Sequence, residues 1–183
     1  GTLAATGSTF SSADNINGAG GDDTVQISSA GVSNTISTVT MTAVETLSVI
    51  DAATTKTTID ALSFAGLETI KVQGSTGAER EINNVGNLVD LNLVSNLGSG
   101  DVVDINYSAA ATVGAADVQN ISTNSSSRTI ELGSVETANI TTTGGASTII
   151  LSDVTAADVM KAVTVSGTAA LTLTGTGSTA ITS

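Results

Sequence analysis

The sequence of 183 residues contains no cysteine, proline, histidine or tryptophan, and aromatic residues make up only 2% of it. The absence of cysteine excludes a disulfide framework and thiol chemistry, which is compatible with an extracellular protein that folds without disulfides. No stretch reaches the ~18 consecutive apolar residues of a membrane-spanning helix. No basic segment followed by an apolar one, the pattern of a secretory signal peptide, opens the chain.

Basic residues are scarce, with 5 Lys and Arg against 17 Asp and Glu and a net charge of −12. Such a chain repels the phosphates of nucleic acids and anionic membrane surfaces, so we expect neither nucleic-acid binding nor membrane insertion. Divalent cations such as calcium are natural partners of an acidic surface. The same charge would also serve solubility alone, and composition does not decide between these two interpretations.

Hydrophobic residues account for 40% of the chain and the mean hydropathy is +0.30, which excludes intrinsic disorder. The apolar residues are almost all Val, Ile, Leu and Ala, and the polar ones are mostly Thr, Ser, Asn and Gly. Branched side chains fit the pleated surface of a sheet, so this composition predicts an all-β protein.

Short strand-like phrases recur along the chain with a period of about 23 residues. One series has the central aliphatic residues Ile36, Ile59, Ile82, Ile105, Ile130, Ile149 and Leu171, and its first three spacings are each 23. A second, interleaved series begins at Val44, Leu67, Leu88, Val118, Val135 and Val159. Because one such unit cannot bury its apolar face alone, the repeat predicts a parallel β-solenoid, or β-helix, with coils of about 23 residues and stacked aliphatic ladders.

Local patterns give further detail. Within the phrases, residues such as Leu47 and Val49 alternate with polar ones, as in a strand with one buried face. Glycines at 74–77, 98–100 and 144–145 predict corners with positive φ. Residues 108–117 resemble an inserted loop. An antiparallel sandwich is the alternative fold, but the chain has few aromatic residues for its core and few tight hairpin turns.

The segment 155–163 is ambiguous. It fits a short helix with Thr155 as its N-cap and Asp158 three residues later. It also fits a strand that includes Val163 and Val165.

A candidate calcium site lies near the start of the chain, in the stretch NGAGGDDTVQ at 17–26. With Asp23 at the aspartate position of the nonapeptide G-G-x-G-x-D-x-U-x, Gly18 and Gly21 match two of its three glycines and Val25 is the large aliphatic residue. Asp14 stands one nonapeptide earlier. A glycine-rich corner with solvated aspartates is the alternative interpretation.

Other charged groups are weaker candidates. Asp101 and Asp104 follow the glycine-rich 98–100 and could form a second calcium site, whereas Glu79, Arg80 and Glu81 are expected to form a solvated corner. The paired carboxylates Asp22/Asp23 and Asp101/Asp104 lack any sequence feature that would raise the pKa of one member, as acid–base catalysis requires. With no histidine and few basic residues, we expect no enzymatic activity.

The phrase GAGGDDTVQI, followed by TAVETLSVID and AGLETIKVQG, resembles the calcium-dependent surface-layer (S-layer) proteins of bacteria, which belong to the repeats-in-toxin-related kind and leave the cell by type I secretion. The resemblance implies an extracellular β-solenoid on the bacterial cell surface, calcium between its coils and self-assembly into a lattice. Asp14, Gly18, Gly20 and Asp23 map to its ligand positions, with Asp22 as their neighbour. Large repeats-in-toxin adhesins share these phrases.

These observations predict two segments of one continuous domain within a longer chain: a calcium-binding-like coil at 1–27 and solenoid repeats at 28–183. The expected function is structural, as a self-assembling segment of a surface layer whose partners are other copies of the chain. A cell-surface polysaccharide is a second candidate partner. The alternative function is a stalk or binding segment of an adhesin or biofilm-matrix protein.

Overall fold

The computed structural model describes residues 2–6, 13–31, 34–36, 39–74, 78–155 and 159–176, and no helix occurs among them. The described residues therefore contain no helix that could cross a bilayer. The strands are β1 (Thr2–Thr6), β2 (Asn15–Asn17), β3 (Thr24–Gly31), β4 (Asn34–Ile36), β5 (Thr40–Thr42), β6 (Thr46–Ala53), β7 (Thr57–Asp60), β8 (Phe64–Ala65), β9 (Thr69–Gln73), β10 (Glu79–Val85), β11 (Asp90–Tyr107), β12 (Val118–Leu132), β13 (Thr137–Thr142), β14 (Ser147–Asp153), β15 (Ala162–Gly167) and β16 (Leu171–Thr176).

All strand pairs are parallel and join each coil to the next, which confirms a β-solenoid of about six turns. The first stack contains β1, β3, β6, β9, β13 and β15, together with the first halves of the long strands β11 and β12. The second stack contains β4, β7, β10, the ends of β11 and β12, β14 and β16. A separate three-stranded sheet contains β2, β5 and β8, which belong to the early coils.

The aliphatic ladder of Ile36, Ile59, Ile82 and Ile105 predicted from the 23-residue period is confirmed. Ile36 pairs with Ile59, Ile59 with Ile82, and Ile82 with Ile105, and each of the four is at most 1% exposed. In the first stack, Leu47 lies between Val25 and Ile70 in the same way. One continuous hydrophobic core includes residues of both stacks, and full burial of each such side chain contributes roughly 1.5–3 kcal/mol.

The recurring residues of the first series do not pair with one another after Ile105. Ile105 pairs with Leu132, while Ile130 pairs with Val103 and Leu151. Ile149 instead faces Arg128 and Leu173, and Leu171 faces Ser147. In the second series, Val118 faces Thr137 rather than Val135. Thr137 in turn faces Ala162, so Val159 is not in register with this series either. The reason is a change of coil length: Asn96 pairs 30 residues ahead with Ser126, but Asp101 pairs only 27 ahead with Arg128, because β11 is irregular between these positions.

Of the other local predictions, some are confirmed and others are not. The predicted loop at 108–117 contains no strand, and Gly74, Gly100 and Gly144 have positive φ as the corner prediction requires. Among the described residues of 155–163 the helix is absent, whereas β15 includes Val163 and Val165. Asp158 lies outside the described residues. β3 runs through the predicted boundary after residue 27, and that division stays a prediction.

The recurring glutamate of the phrases VET has a backbone role at the corner before the first stack. The carboxylate of Glu45 accepts a hydrogen bond from the backbone N–H of Asp23 at 2.7 Å, while the carbonyl of Asp23 accepts from the N–H groups of Glu45 and Thr46. Glu136 accepts from the N–H of Asp117 at 2.9 Å in a later coil. Each of these two glutamates therefore accepts from a backbone donor at the corner and links two coils.

Candidate functional site

The five residues of the predicted calcium site all lie at or beside the corner between β2 and β3. Asp14 and Gly18 are half-buried, Gly20 and Asp22 are exposed, and Asp23 is buried. The backbone turns here through positive φ at Ala19 (69°) and Gly21 (104°), and Asn17 Oδ1 accepts a hydrogen bond from the N–H of Ala19 at 2.9 Å. The sequence therefore identified a genuine corner.

Gly18 is required at this corner by packing. A Cβ atom at this position would overlap the carbonyl oxygen of Ala43 and would come within 2.7 Å of Oδ2 of Asp23. The N–H of Gly18 donates to the carbonyl of Thr42 at 3.0 Å, which holds the two coils together at this point. By contrast, a Cβ atom at Gly20 would meet nothing within 4 Å.

The donor set of this corner is only partly that of a calcium site. Asp23 brings a buried carboxylate, but among the described residues Asp14, Asp22 and Asp23 do not form a group of three carboxylates close enough to share an ion. The neighbouring carboxylate of Glu45 is engaged with the backbone of Asp23. The calcium site at Asp14, Gly18, Gly20, Asp22 and Asp23 stays a prediction.

A denser group of carboxylates lies on the outer face of the second stack, and we call Glu79, Glu81, Asp104 and Glu131 the acidic patch. Carboxylate oxygens of its first three members lie within 4.8 Å of one another. The strand register places Asp104 between Glu81 and Glu131 on three consecutive coils. Lys56 Nζ contacts Glu79 at 2.8 Å and Glu81 at 3.0 Å.

Three carboxylates of the acidic patch have shifted pKa values: those of Asp104 and Glu131 are raised and that of Glu81 is lowered. Burial raises the pKa of Asp104, and the charges of Glu81 and Glu79 raise it further. Burial also raises the pKa of Glu131, with added repulsion from Asp104. Burial acts in the same direction on Glu81, but hydrogen bonds from Lys56 and neighbouring side chains outweigh it and lower its pKa. Repulsion within the acidic patch is therefore incompletely compensated.

The expectation of a solvated corner at Glu79, Arg80 and Glu81 is wrong. These residues belong to β10, where alternation directs Arg80 into the core between two outward glutamates. Arg80 is 0% exposed and its Nη1 lies 3.1 Å from Oδ1 of Asp101, while Nη1 of Arg128 lies 3.9 Å from the second oxygen of Asp101. We call Arg80, Asp101 and Arg128 the core ion cluster.

β11 does not bring Asp101 and Asp104 together as one site, because residues three apart on a strand lie on opposite faces. Asp101 points inward to the two arginines, whereas Asp104 lies in the outer acidic patch. Arg128 donates to the carbonyl of Gly74 at 2.9 Å and to Oγ of Ser126 at 3.0 Å, so the cluster links a corner to the three strands β10, β11 and β12. Burial lowers the pKa of Arg128 to about 10, partly opposed by Asp101, so its guanidinium stays charged at neutral pH.

A polar groove of about 320 Å³ lies on the outer face of the first stack. Its floor carries a ladder of side-chain hydrogen bonds, in which Asn139 donates to Asn120 at 3.3 Å and Asn120 donates to Asp90 at 3.1 Å. The groove has amide and hydroxyl groups but no aromatic residue in its lining, which gives a sugar ring hydrogen-bonding partners and no stacking platform.

Comparison of the chain with protein-family models, with curated protein sequences and with solved structures finds no match. Function must therefore be argued from the sites themselves. The acidic patch and the core ion cluster both leave a signal in the sequence. Glu81, Asp104 and Glu131 each precede a residue of the observed aliphatic ladder, which marks them as outward-facing. Arg80 stands two residues before Ile82, which marks it as inward-facing.

Proposed function

We propose that this chain is a structural, non-catalytic segment of an extracellular bacterial protein, and that it assembles with copies of itself in a calcium-dependent surface layer. The proposal is supported mainly by the uninterrupted stack of parallel coils around one core, because such a stack is a rigid building unit with repeating outer faces. The net charge of −12 favours a cation as the agent that brings such units together.

The resemblance of GAGGDDTVQI, TAVETLSVID and AGLETIKVQG to surface-layer and repeats-in-toxin proteins supports the same proposal. In this scheme calcium reduces repulsion between acidic faces and orders the first coil at Asp23. Neighbouring copies then meet through the outer faces of their sheets. The alternative role is a stalk or binding segment of an adhesin or biofilm-matrix protein, for which the polar groove of the first stack offers a surface for polysaccharide.

The test is assembly of the purified chain with and without calcium, observed by light scattering and negative-stain electron microscopy. The proposal expects ordered two-dimensional arrays that form with calcium and dissolve on chelation. Single particles that remain monomeric with calcium but bind bacterial polysaccharide would favour the adhesin role. Particles that neither assemble nor bind polysaccharide would contradict both roles.

A further inference from the structure

The carboxylates of the acidic patch stand in a position that folding alone disfavours. Glu81, Asp104 and Glu131 occupy one register position on three consecutive coils, so their backbones are spaced by ~4.8 Å. Like charges directly opposite each other on adjacent strands destabilise a sheet. Lys56 supplies one positive charge against the four carboxylates of the patch, an excess of three negative charges (four minus one).

Asp104 is the carboxylate of the acidic patch whose charge is least balanced by hydrogen bonds and positive groups. Its side chain is 9% exposed, and Oδ2 accepts a hydrogen bond from Asn106 at 3.0 Å. Oδ1 is buried and has no hydrogen-bond partner among the described residues. A carboxylate oxygen buried without a partner is costly, and buried charges in proteins are ordinarily paired or coordinated to a metal.

The distances in the acidic patch fit one shared ion. Oxygen ligands of calcium lie at 2.3–2.6 Å from the ion, so any two of them are at most about 5 Å apart. Oxygens of Glu79, Glu81 and Asp104 satisfy this limit, since all lie within 4.8 Å of one another. The donors are oxygens without histidine or cysteine, which favours a hard cation over zinc.

We propose that Glu79, Glu81 and Asp104 bind one hard divalent cation of the calcium class, with Oδ1 of Asp104 as the buried ligand. Without the ion, Lys56 pairs with both glutamates; with the ion, its ammonium group is displaced toward solvent. This site is distinct from the corner at Asp14–Asp23, and it rests on the geometry of β10 and β11 rather than on the surface-layer role.

The experiment is calorimetric titration of the whole chain with calcium chloride at ~0.15 M salt, where weak surface attraction is screened. Wild type should take up an ion that Asp104→Asn and Glu81→Gln each bind at least about tenfold more weakly, since even the loss of an outer-shell partner costs this much. Glu68→Gln removes the same charge from an exposed position outside the patch and should bind as wild type does. Lys56→Gln should bind more tightly, because it removes the competing cation.

Asp23→Asn is titrated in parallel, so that an ion held by the first corner is counted separately. Circular dichroism and urea unfolding without calcium establish that each variant is folded. The proposal is overturned if wild type binds no calcium, if Asp104→Asn and Glu81→Gln bind like Glu68→Gln, or if all binding is lost in Asp23→Asn alone. Assembly is not the readout here, so failure of the surface-layer proposal leaves this result interpretable.

Discussion

Replacement of Asp101 by asparagine should destabilise the chain by about 3–5 kcal/mol, the loss expected when one partner of a buried ion pair is removed. The structure places Asp101 at 0% exposure between Arg80 at 0% and Arg128 at 2%. The asparagine keeps the shape but removes the single negative charge of the core ion cluster. Two guanidinium groups would then lie in the core without the carboxylate that pairs with both of them.

The measurement is urea unfolding followed by circular dichroism, with the slopes of the transitions compared to test whether the variants lose the same structure. Hydrogen exchange of β10, β11 and β12 should show where the loss is felt, since a solenoid can open coil by coil. Asp104→Asn is the matched control, because it removes the same charge from the same strand on its outer side.

A second variant separates the need for charge from the cost of an unpaired charge. The triple change Arg80→Met, Asp101→Leu and Arg128→Met should recover most of the loss, because apolar groups of similar volume often replace buried ion pairs without cost. A loss below about 1 kcal/mol in Asp101→Asn would refute the reasoning, since it is the range of a solvated ion pair.

Three further predictions concern the corners and the acidic patch. Gly18→Ala should cost about 1–3 kcal/mol by overpacking against a backbone carbonyl, whereas Gly20→Ala should change urea stability by less than about 0.5 kcal/mol; equal effects would contradict the steric argument. Asp153→Asn should cost about 1–3 kcal/mol at neutral pH, because the carboxylate accepts hydrogen bonds from the backbone N–H groups of Thr155 and Met160. These hydrogen bonds lower the pKa of Asp153 in the folded state, against the effect of burial, so the contribution of the carboxylate to stability should disappear as pH falls through that pKa. A loss of stability that does not depend on pH would contradict this role of Asp153. Without divalent cations, wild type should gain stability as pH falls from neutral through the raised pKa values of Asp104 and Glu131, because the folded state takes up protons before the unfolded state does. Urea unfolding at a series of pH values should show a smaller gain for Asp104→Asn. An unchanged gain in this variant would refute the assignment of a raised pKa to Asp104.

Much of the fold could be predicted because β-strand alternation and the coil period are local properties. The equal spacing of Ile36, Ile59, Ile82 and Ile105 predicted their stacking, and the structure confirms it. Glu45 and Glu136 stand at the same place in the two VET phrases, but nothing in the sequence indicated that Glu45 caps the N–H of Asp23. That role depends on the position of one corner above the next.

The candidate sites were harder to predict because they depend on which residues meet across coils. The sequence alone determined an acidic all-β chain, the solenoid period and the corner at Asp23. Tertiary structure decided the register after Ile105. Ile130 and Leu132 both fit the alternation of an inward-facing residue, and only the irregularity of β11 between Asn96 and Asp101 pairs Ile105 with Leu132. Strand alternation already puts Asp101 and Asp104 on opposite faces because their offset is odd, but only the tertiary structure brings Arg80 and Arg128 to Asp101 and Glu79 and Glu81 to Asp104.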